Sequence, residues 1–175
     1  MDNLLELMIN RRSVRKYSAE PVTDEQIKTI TTAALLSPSG HSKYPCEFVV
    51  VKDRDTLEKM SHCRVAVAKM LNNASCAIVT IADSDKSDTI IEDSSIAMMN
   101  MHLMAASLGL GSCWIQLRSR DAEDGTNSED YIRSVLNIPD HYLCQAILSI
   151  GGLEKTPKPH DINKLNFDKI HLEQF

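Results

Sequence analysis

One stretch limits the possible folds of this chain more than any other. From Ile96 to Leu108 nearly every residue is apolar: Ile96, Ala97, Met98, Met99, Met101, Leu103, Met104, Ala105, Ala106 and Leu108 leave only Asn100, His102 and Ser107 polar. The stretch belongs to the longest helical candidate, Thr89 to Leu108, with Gly109 as its expected C-terminal cap. A helix that is apolar on all sides must be covered on all sides. In a chain of 175 residues, one face can pack on a sheet, and a subunit interface is a good way to cover the other.

The remaining elements fit around that helix. Asp2 to Asn10 reads as a short helix, with Leu4 and Met8, and Leu5 and Ile9, at i,i+4 spacing. Thr23 followed by Gln26 forms a capping-box signature, Val22 and Ile27 occupy the hydrophobic-staple positions, and Pro38 ends the helix that follows. Phe48, Val49, Val50 and Val51, within Glu47 to Lys52, predict a buried strand. Asp55 to about Asn72 reads as helical in two pieces, and Cys76 to Ala82 as a second strand. Ser112 to Leu117 reads as a third strand, Arg118 to Asn127 as a loop, Ser128 to Leu136 as a helix, and Tyr142 to Ile150 as a fourth strand. Strands alternating with helices predict an α/β or α+β sheet sandwiched by helices. The length fits one domain over 1–175, with no repeat, low-complexity tract or linker. A tail from about residue 157 carries Phe167, Ile170, Leu172 and Phe175, apolar anchors expected to dock on the body or on a partner subunit.

Composition excludes several functions. Five cysteines, an odd number with no Cys-x-x-Cys pair, argue against a disulfide framework or a zinc ribbon and favour the reducing cytoplasm. Met1 to Asn10 lacks the pattern of a signal peptide, and the apolar runs are too short for a membrane span. A net charge of −5 is unpromising for nucleic-acid binding. The six histidines form no metal pattern, so no metal is expected. Against that acidic background, Arg11, Arg12, Arg15 and Lys16 place four positive charges within six residues.

Three segments could carry chemistry. Arg11-Arg12-Ser13-Val14-Arg15 offers guanidinium forks matched to phosphate oxygens, and in an extended segment Arg11, Ser13 and Arg15 would point the same way. The alternative is arginines that merely complement the dipole of the preceding helix. Ser37-Pro38-Ser39-Gly40-His41-Ser42 could bring amides and hydroxyls against a flat ligand, or be an ordinary turn. Gly109-Leu110-Gly111-Ser112-Cys113-Trp114-Ile115-Gln116 follows a helix and precedes a strand, the wrong order for a dinucleotide fingerprint, and no phosphate loop of the Gly-x4-Gly-Lys type exists. Cys113 reads as an inert core thiol, His102 as a satisfied core or interface histidine, and Asp121, Glu123 and Asp124 as a solvated loop.

In this order and at these spacings, the Arg-Arg-Ser-x-Arg, Ser-Pro-Ser and Gly-Leu-Gly-Ser-Cys-Trp-Ile segments, the Gly151-Gly152 strand end and the Pro-rich basic tail resemble the nitroreductase family over nearly the whole chain. The resemblance implies an α+β three-layer sandwich, its central, mostly antiparallel sheet flanked by helices, and a homodimer holding FMN at the subunit interface. It implies ping-pong hydride transfer from NADH or NADPH through the flavin to nitroaromatic, quinone or similar acceptors; the alternative is a flavin-binding sensor or storage protein. By the same resemblance Arg11, Arg12 and Ser13 hold the FMN phosphate and ribityl end, and Arg15 reaches the pyrimidine edge as an electrostatic stabiliser. Pro38, Ser39 and Gly40 pack on the flavin from the other subunit, Trp114, Ile115, Gln116 and Leu117 flank its reactive edge with backbone amides, and Lys164 contacts the phosphate. The chain departs from the family at Ser42, Tyr44, Pro45 and Cys46, where Asn and then Gln-Pro-Trp are common, so the Ser42 hydroxyl replaces a side-chain amide. Asn163 stands where arginine is common.

Overall fold

Local chemistry fixes the second helix before any packing does. In the computed structural model, which describes residues 4–175, Thr23 caps helix α2 (Asp24–Leu35): its Oγ1 accepts the Gln26 N–H at 3.2 Å, and the Gln26 side chain accepts the Thr23 N–H at 2.9 Å. Val22 and Ile27 enter the same apolar cluster. Helix α1 spans Leu4–Asn10; the expected start at Asp2 lies outside the described residues. Helix α3 is Arg54–Met60, α4 is Ile90–Ser107 and α5 is Ser128–Leu136. Gly109 has φ +72°, the left-handed conformation expected just beyond the end of α4.

The strands β1 (Cys46–Val51), β2 (Cys76–Asp83), β3 (Leu110–Gln116) and β4 (Tyr142–Gly152) form one sheet in the order β1-β2-β4-β3, every neighbouring pair antiparallel. Antiparallel pairing decides between the two fold classes left open above, and the fold is α+β. Strand β2 is buried along its whole length, and its side chains alternate between two cores, as the period of two requires. Cys76 and Ile78 join Ala146, Leu148 and Ile150 beneath α2 and α4. Ala77, Val79 and Ile81 join Ile147, Leu57, Met60 and Ile132 on the other face, beneath α3 and α5. These are the three layers.

Two expectations need correction. The β-branched run in β1 is not a buried strand: among its residues only Val51 is buried, because β1 is an edge strand. The span Asp55 to Asn72 is not helical in two full pieces. Helix α3 stops at Met60, a turn-rich segment follows, and a short 3-10 helix occupies Lys69–Asn73.

Helix α4 buries Ala97, Met98, Met101 and Ala105 against the sheet and α2, while Ile96 and Met99 on its opposite side are exposed. Leu4, Leu5 and Met8 of α1 are exposed as well, as are Leu165, Phe167, Ile170, Leu172 and Phe175 of the tail. Among the described residues, the second apolar face of α4 is therefore left partly open at Ile96 and Met99.

Candidate functional site

After α1 the basic segment runs extended along the ends of β3 and β4. The Val14 N–H donates to the Ser112 carbonyl at 2.9 Å, Ser13 pairs with Ser112 in a parallel bridge, and the Ser18 N–H donates to the Gly152 carbonyl at 3.0 Å. Tyr17 pins the segment, its hydroxyl lying 2.6 Å from Ser149 Oγ and 2.9 Å from the Val14 carbonyl. So close an approach needs strand ends without side chains. A Cβ on Gly111 would stand 2.7 Å from Val14 Cγ1, and one on Gly151 would stand 2.6 Å from the Tyr17 ring.

Arg11, Arg12, Ser13 and Arg15 then line an open groove of about 460 Å³ with Pro157, Lys158 and His160. The expected alternation holds for Arg11, Ser13 and Arg15, but Arg12 lines the groove too. Two hydrogen bonds bring the tail alongside: Arg12 Nη1 donates to the Lys158 carbonyl and the His160 N–H donates to the Ile9 carbonyl, both at 2.9 Å. Lys164 sits on an exposed turn, Ile162–Lys164, and does not line this groove; Asn163 shares that turn. Lys158 and His160 went unnoticed as site residues. The signal was there in the alternation of Lys155, Pro157, Lys158, Pro159 and His160, a basic segment stiffened by proline.

Beside the groove lies the free edge of β3. Ser112 turns its carbonyl outward to Val14, and Gln116 turns its carbonyl outward to Arg64 Nη1 at 2.9 Å. Backbone groups alternate along a strand with a period of two, so Trp114, midway, also presents its N–H and C=O along the open edge. The side chains of Ile115 and Leu117 are fully buried in the core. The Ile115 backbone faces β4, the Leu117 N–H donates to the Gln145 carbonyl at 3.3 Å and its carbonyl accepts from the Arg120 N–H at 3.1 Å, so neither residue opens onto the free edge, contrary to expectation. Trp114 Nε1 donates to Gln116 Oε1 at 2.9 Å, locking the two side chains together. Beneath the edge, His102 is buried with Nδ1 2.7 Å from Ser112 Oγ; burial, helped by the charge of Arg11, lowers its pKa to about 4, so the ring is neutral.

The Ser37–Tyr44 loop lies near the other end of α4. Asp93, buried in the first turn of that helix, accepts from Ser39 Oγ at 2.8 Å, from the Gly40 N–H at 3.0 Å and from Thr89 Oγ1 at 3.4 Å. Asn100 Nδ2 donates to Ser37 Oγ at 2.8 Å. His41, Ser42 and Tyr44 have φ of 53°, 55° and 46°, a left-handed conformation that costs each a non-glycine side chain some energy and persists only where surroundings enforce it. Ser37, Pro38, Ser39, Tyr44, Pro45 and Cys46 rim a cleft floored by Phe48 and Ala97. Ser42 is exposed and does not line it. From Asp93 to Ala106, which borders the region of Arg11 and Arg12, α4 rises about 20 Å. The two groups of residues predicted to share one ligand therefore lie at opposite ends of a helix and, within one chain, line separate cavities.

The remaining candidates are structural. All five cysteines are free; burial raises the thiols of Cys46 and Cys113, and pushes those of Cys63, Cys76 and Cys144 up to about 12. Glu123 pairs with His62 and Lys69, and Asp124 accepts from Thr126. No cluster that could hold a metal and no helix long and apolar enough to cross a membrane occurs among the described residues.

Comparison with known proteins follows the same lines. The model of the nitroreductase family matches residues 8–70 and 62–152. A protein of Archaeoglobus fulgidus assigned as an NADH dehydrogenase/NAD(P)H nitroreductase is 34% identical over the full length of both chains. Among solved structures, an FMN-dependent nitroreductase from Clostridium difficile R20291 superposes with a TM-score of 0.94 at 41% identity, covering 98% of this chain and 99% of that one. A protein from Parabacteroides distasonis ATCC 8503, assigned as an NADH dehydrogenase/NAD(P)H nitroreductase, gives 0.90 at 32% identity and 98% coverage of both.

Proposed function

The chain belongs to the nitroreductase family, and from that premise we propose an FMN-dependent NAD(P)H oxidoreductase in which two copies of the chain build each site together. The observation that carries this reading is the cationic groove beside an open strand edge. FMN joins an anionic phosphate to a flat, hydrogen-bonding ring, and the donors present fit both parts. Arg11, Arg12 and Ser13, with Lys158 and His160, offer forks and donors to the phosphate and ribityl end. Lys158 and His160 take the contact that the resemblance gave to Lys164. The outward backbone of Trp114 and the strand end at Gln116 serve the ring, and Arg15 sets a fixed positive charge beside it, favouring the more negative reduced state.

Bound FMN supplies the redox chemistry, taking hydride from NADH or NADPH and passing it to a nitroaromatic, a quinone or a similar acceptor in turn. The chain contributes binding, orientation and electrostatics, and no side chain is needed as a nucleophile. Pro38, Ser39 and Gly40, with the exposed Ser42 beside them, approach from the second copy, because within one chain Pro38 and Ser39 line a cleft separate from the groove. The partly open face of α4, the exposed apolar residues of α1 and the apolar tail supply the surface that a homodimer buries, on the order of 2,000 Å² or more. Five free thiols suit the cytoplasm.

The test is direct. Purified and reconstituted protein should be yellow, hold about one FMN per chain, sediment as a dimer and oxidise NADH or NADPH with a quinone or nitroaromatic acceptor. Ile96→Glu, which sets a charge on the apolar face, should give a monomer that loses FMN. A colourless protein overturns the flavin reading, and a monomeric Ile96→Glu variant that keeps FMN and activity overturns the shared site.

A further inference from the structure

The positive charge gathered around the N-terminal segment exceeds what one flavin phosphate can use. Arg11, Arg12, Arg15, Lys16, Lys155 and Lys158 place six cations around two adjoining cavities, in a chain whose net charge is −5. A phosphate monoester such as that of FMN brings about −2 at neutral pH. None of the six is ion-paired among the described residues. Backbone pairing shows where the surplus lies. Tyr17 and Leu153 form an antiparallel bridge, and the Ser18 N–H donates to the Gly152 carbonyl at 3.0 Å. Followed back along the segment, that register sets Lys16 opposite Glu154 and Arg15 opposite Lys155. Like charges opposite each other on paired chains are unfavourable, and the bridge is not extended that way. Instead the two stretches part around a second cavity of about 210 Å³, lined by Arg15, Lys16, Glu154 and Lys155 with Val14 and Pro157. Arg15 and Pro157 also line the groove, while Lys16, Glu154 and Lys155 do not.

Three cations against one carboxylate, none of them in an ion pair, suit a second compact anion beside the flavin's own. We propose that this cavity takes the 2′-phosphate of the electron donor, with Lys16 and Lys155 as its contacts and Arg15 as the wall between donor and flavin. The inference rests on the flavin reading and adds a choice that reading leaves open, NADPH over NADH. Lysine suits the role, as a point charge on a flexible stem that can follow a group arriving and leaving in each turnover. Glu154 works in the opposite sense, because a carboxylate repels a phosphate and accepts from a ribose hydroxyl. Discrimination between the two donors is the difference between these effects.

The experiment uses FMN-loaded protein, with FMN content and circular dichroism checked for every variant. With a naphthoquinone as acceptor, kcat/KM for NADPH should exceed that for NADH by about tenfold or more. In the Lys16→Gln/Lys155→Gln double variant that ratio should fall about tenfold, and in Glu154→Gln it should rise. Calorimetric titration into oxidised protein separates a built subsite from a general positive field. Adenosine 2′,5′-bisphosphate should bind about tenfold more tightly than adenosine 3′,5′-bisphosphate, which carries the same charge, and the double variant should lose that difference. Equal binding of the two isomers, or a donor ratio that the double variant leaves in place, overturns the subsite. A folded double variant that loses FMN assigns the two lysines to the flavin phosphate and overturns it as well. Wild-type protein that holds FMN and uses NADH as readily as NADPH overturns this inference alone, whereas wild-type protein that takes up no FMN overturns the flavin reading with it.

Discussion

The groove at Arg11–Arg15 and the loop at Ser37–Tyr44 solve the same problem, holding polar backbone in an unusual path, by opposite means. The first relies on absence. Gly111 and Gly151 leave the strand ends bare, and an ordinary extended segment lies down on them. The second relies on a presence, because one buried carboxylate, Asp93, gathers Ser39, Gly40 and Thr89 and keeps three left-handed side chains nearby in place. The groove is assembled within its own chain, while in the proposed two-copy assembly the loop presents its surface to a ligand held by the other copy. Steric emptiness suits a region where charges must be free to face a ligand, and a hydrogen-bonded clamp suits one that, in the proposed assembly, must keep its shape against the second copy.

The comparison can be tested at both ends. The largest effect should come from the groove's chemistry: Arg15→Gln should slow flavin reduction about 100-fold or more in stopped-flow, the loss of one preorganised donor at about 3 to 4 kcal/mol. An unchanged rate and flavin potential would remove Arg15 from its role. Next, Asp93→Ala should destabilise the fold by about 3 kcal/mol in urea titrations, because a buried charged acceptor with several donors is lost at once. If the loop were an ordinary turn, the loss would be far smaller.

His102 tests the floor of the groove. Its pKa stands near 4 in the folded chain against 6.5 in an ordinary histidine, so an unfolded chain binds a proton that the folded one refuses. Stability should fall as pH drops from about 6.5 to about 4, by up to about 3 kcal/mol in all. His102→Gln should flatten that limb of the urea-midpoint profile. The smallest effect belongs to the bare strand ends: Gly151→Ala, which drives a methyl group into Tyr17, should cost about 2 kcal/mol of stability and loosen FMN binding, whereas the same change at Gly125, which has open space around it, should leave FMN binding as it was.

Most of the fold was legible because its signals are local. The Thr23 capping box, the Ser128 to Leu136 helix and the glycine after the long helix all depend on a few neighbouring residues. The burial of β1 was misread because an edge strand and a central strand share the same β-branched composition, and only the pairing order separates them. The arginine cluster was legible as unusual charge. Asp93 was not, since an acidic residue in the first turn of a helix is favourable there in any case, and its clamp spans more than fifty positions of sequence. Motif spacing in a proline-broken tail does not say which basic residue turns back towards α1, and it is Lys158 and His160, not Lys164, that line the groove.

The long helix α4 carries Asp93 near one end and Ala106 near the other, so in a two-copy assembly each ligand would touch opposite ends of two different helices. Injuries to the two ends then become separable. A chain crippled at Arg15 and a chain crippled at Asp93, each inert in its pure assembly, would on mixing pair into a hybrid in which one of the two centres inherits both defects and the other inherits none. Two failures would restore a working half, a rescue by subunit exchange that a self-contained centre could never show.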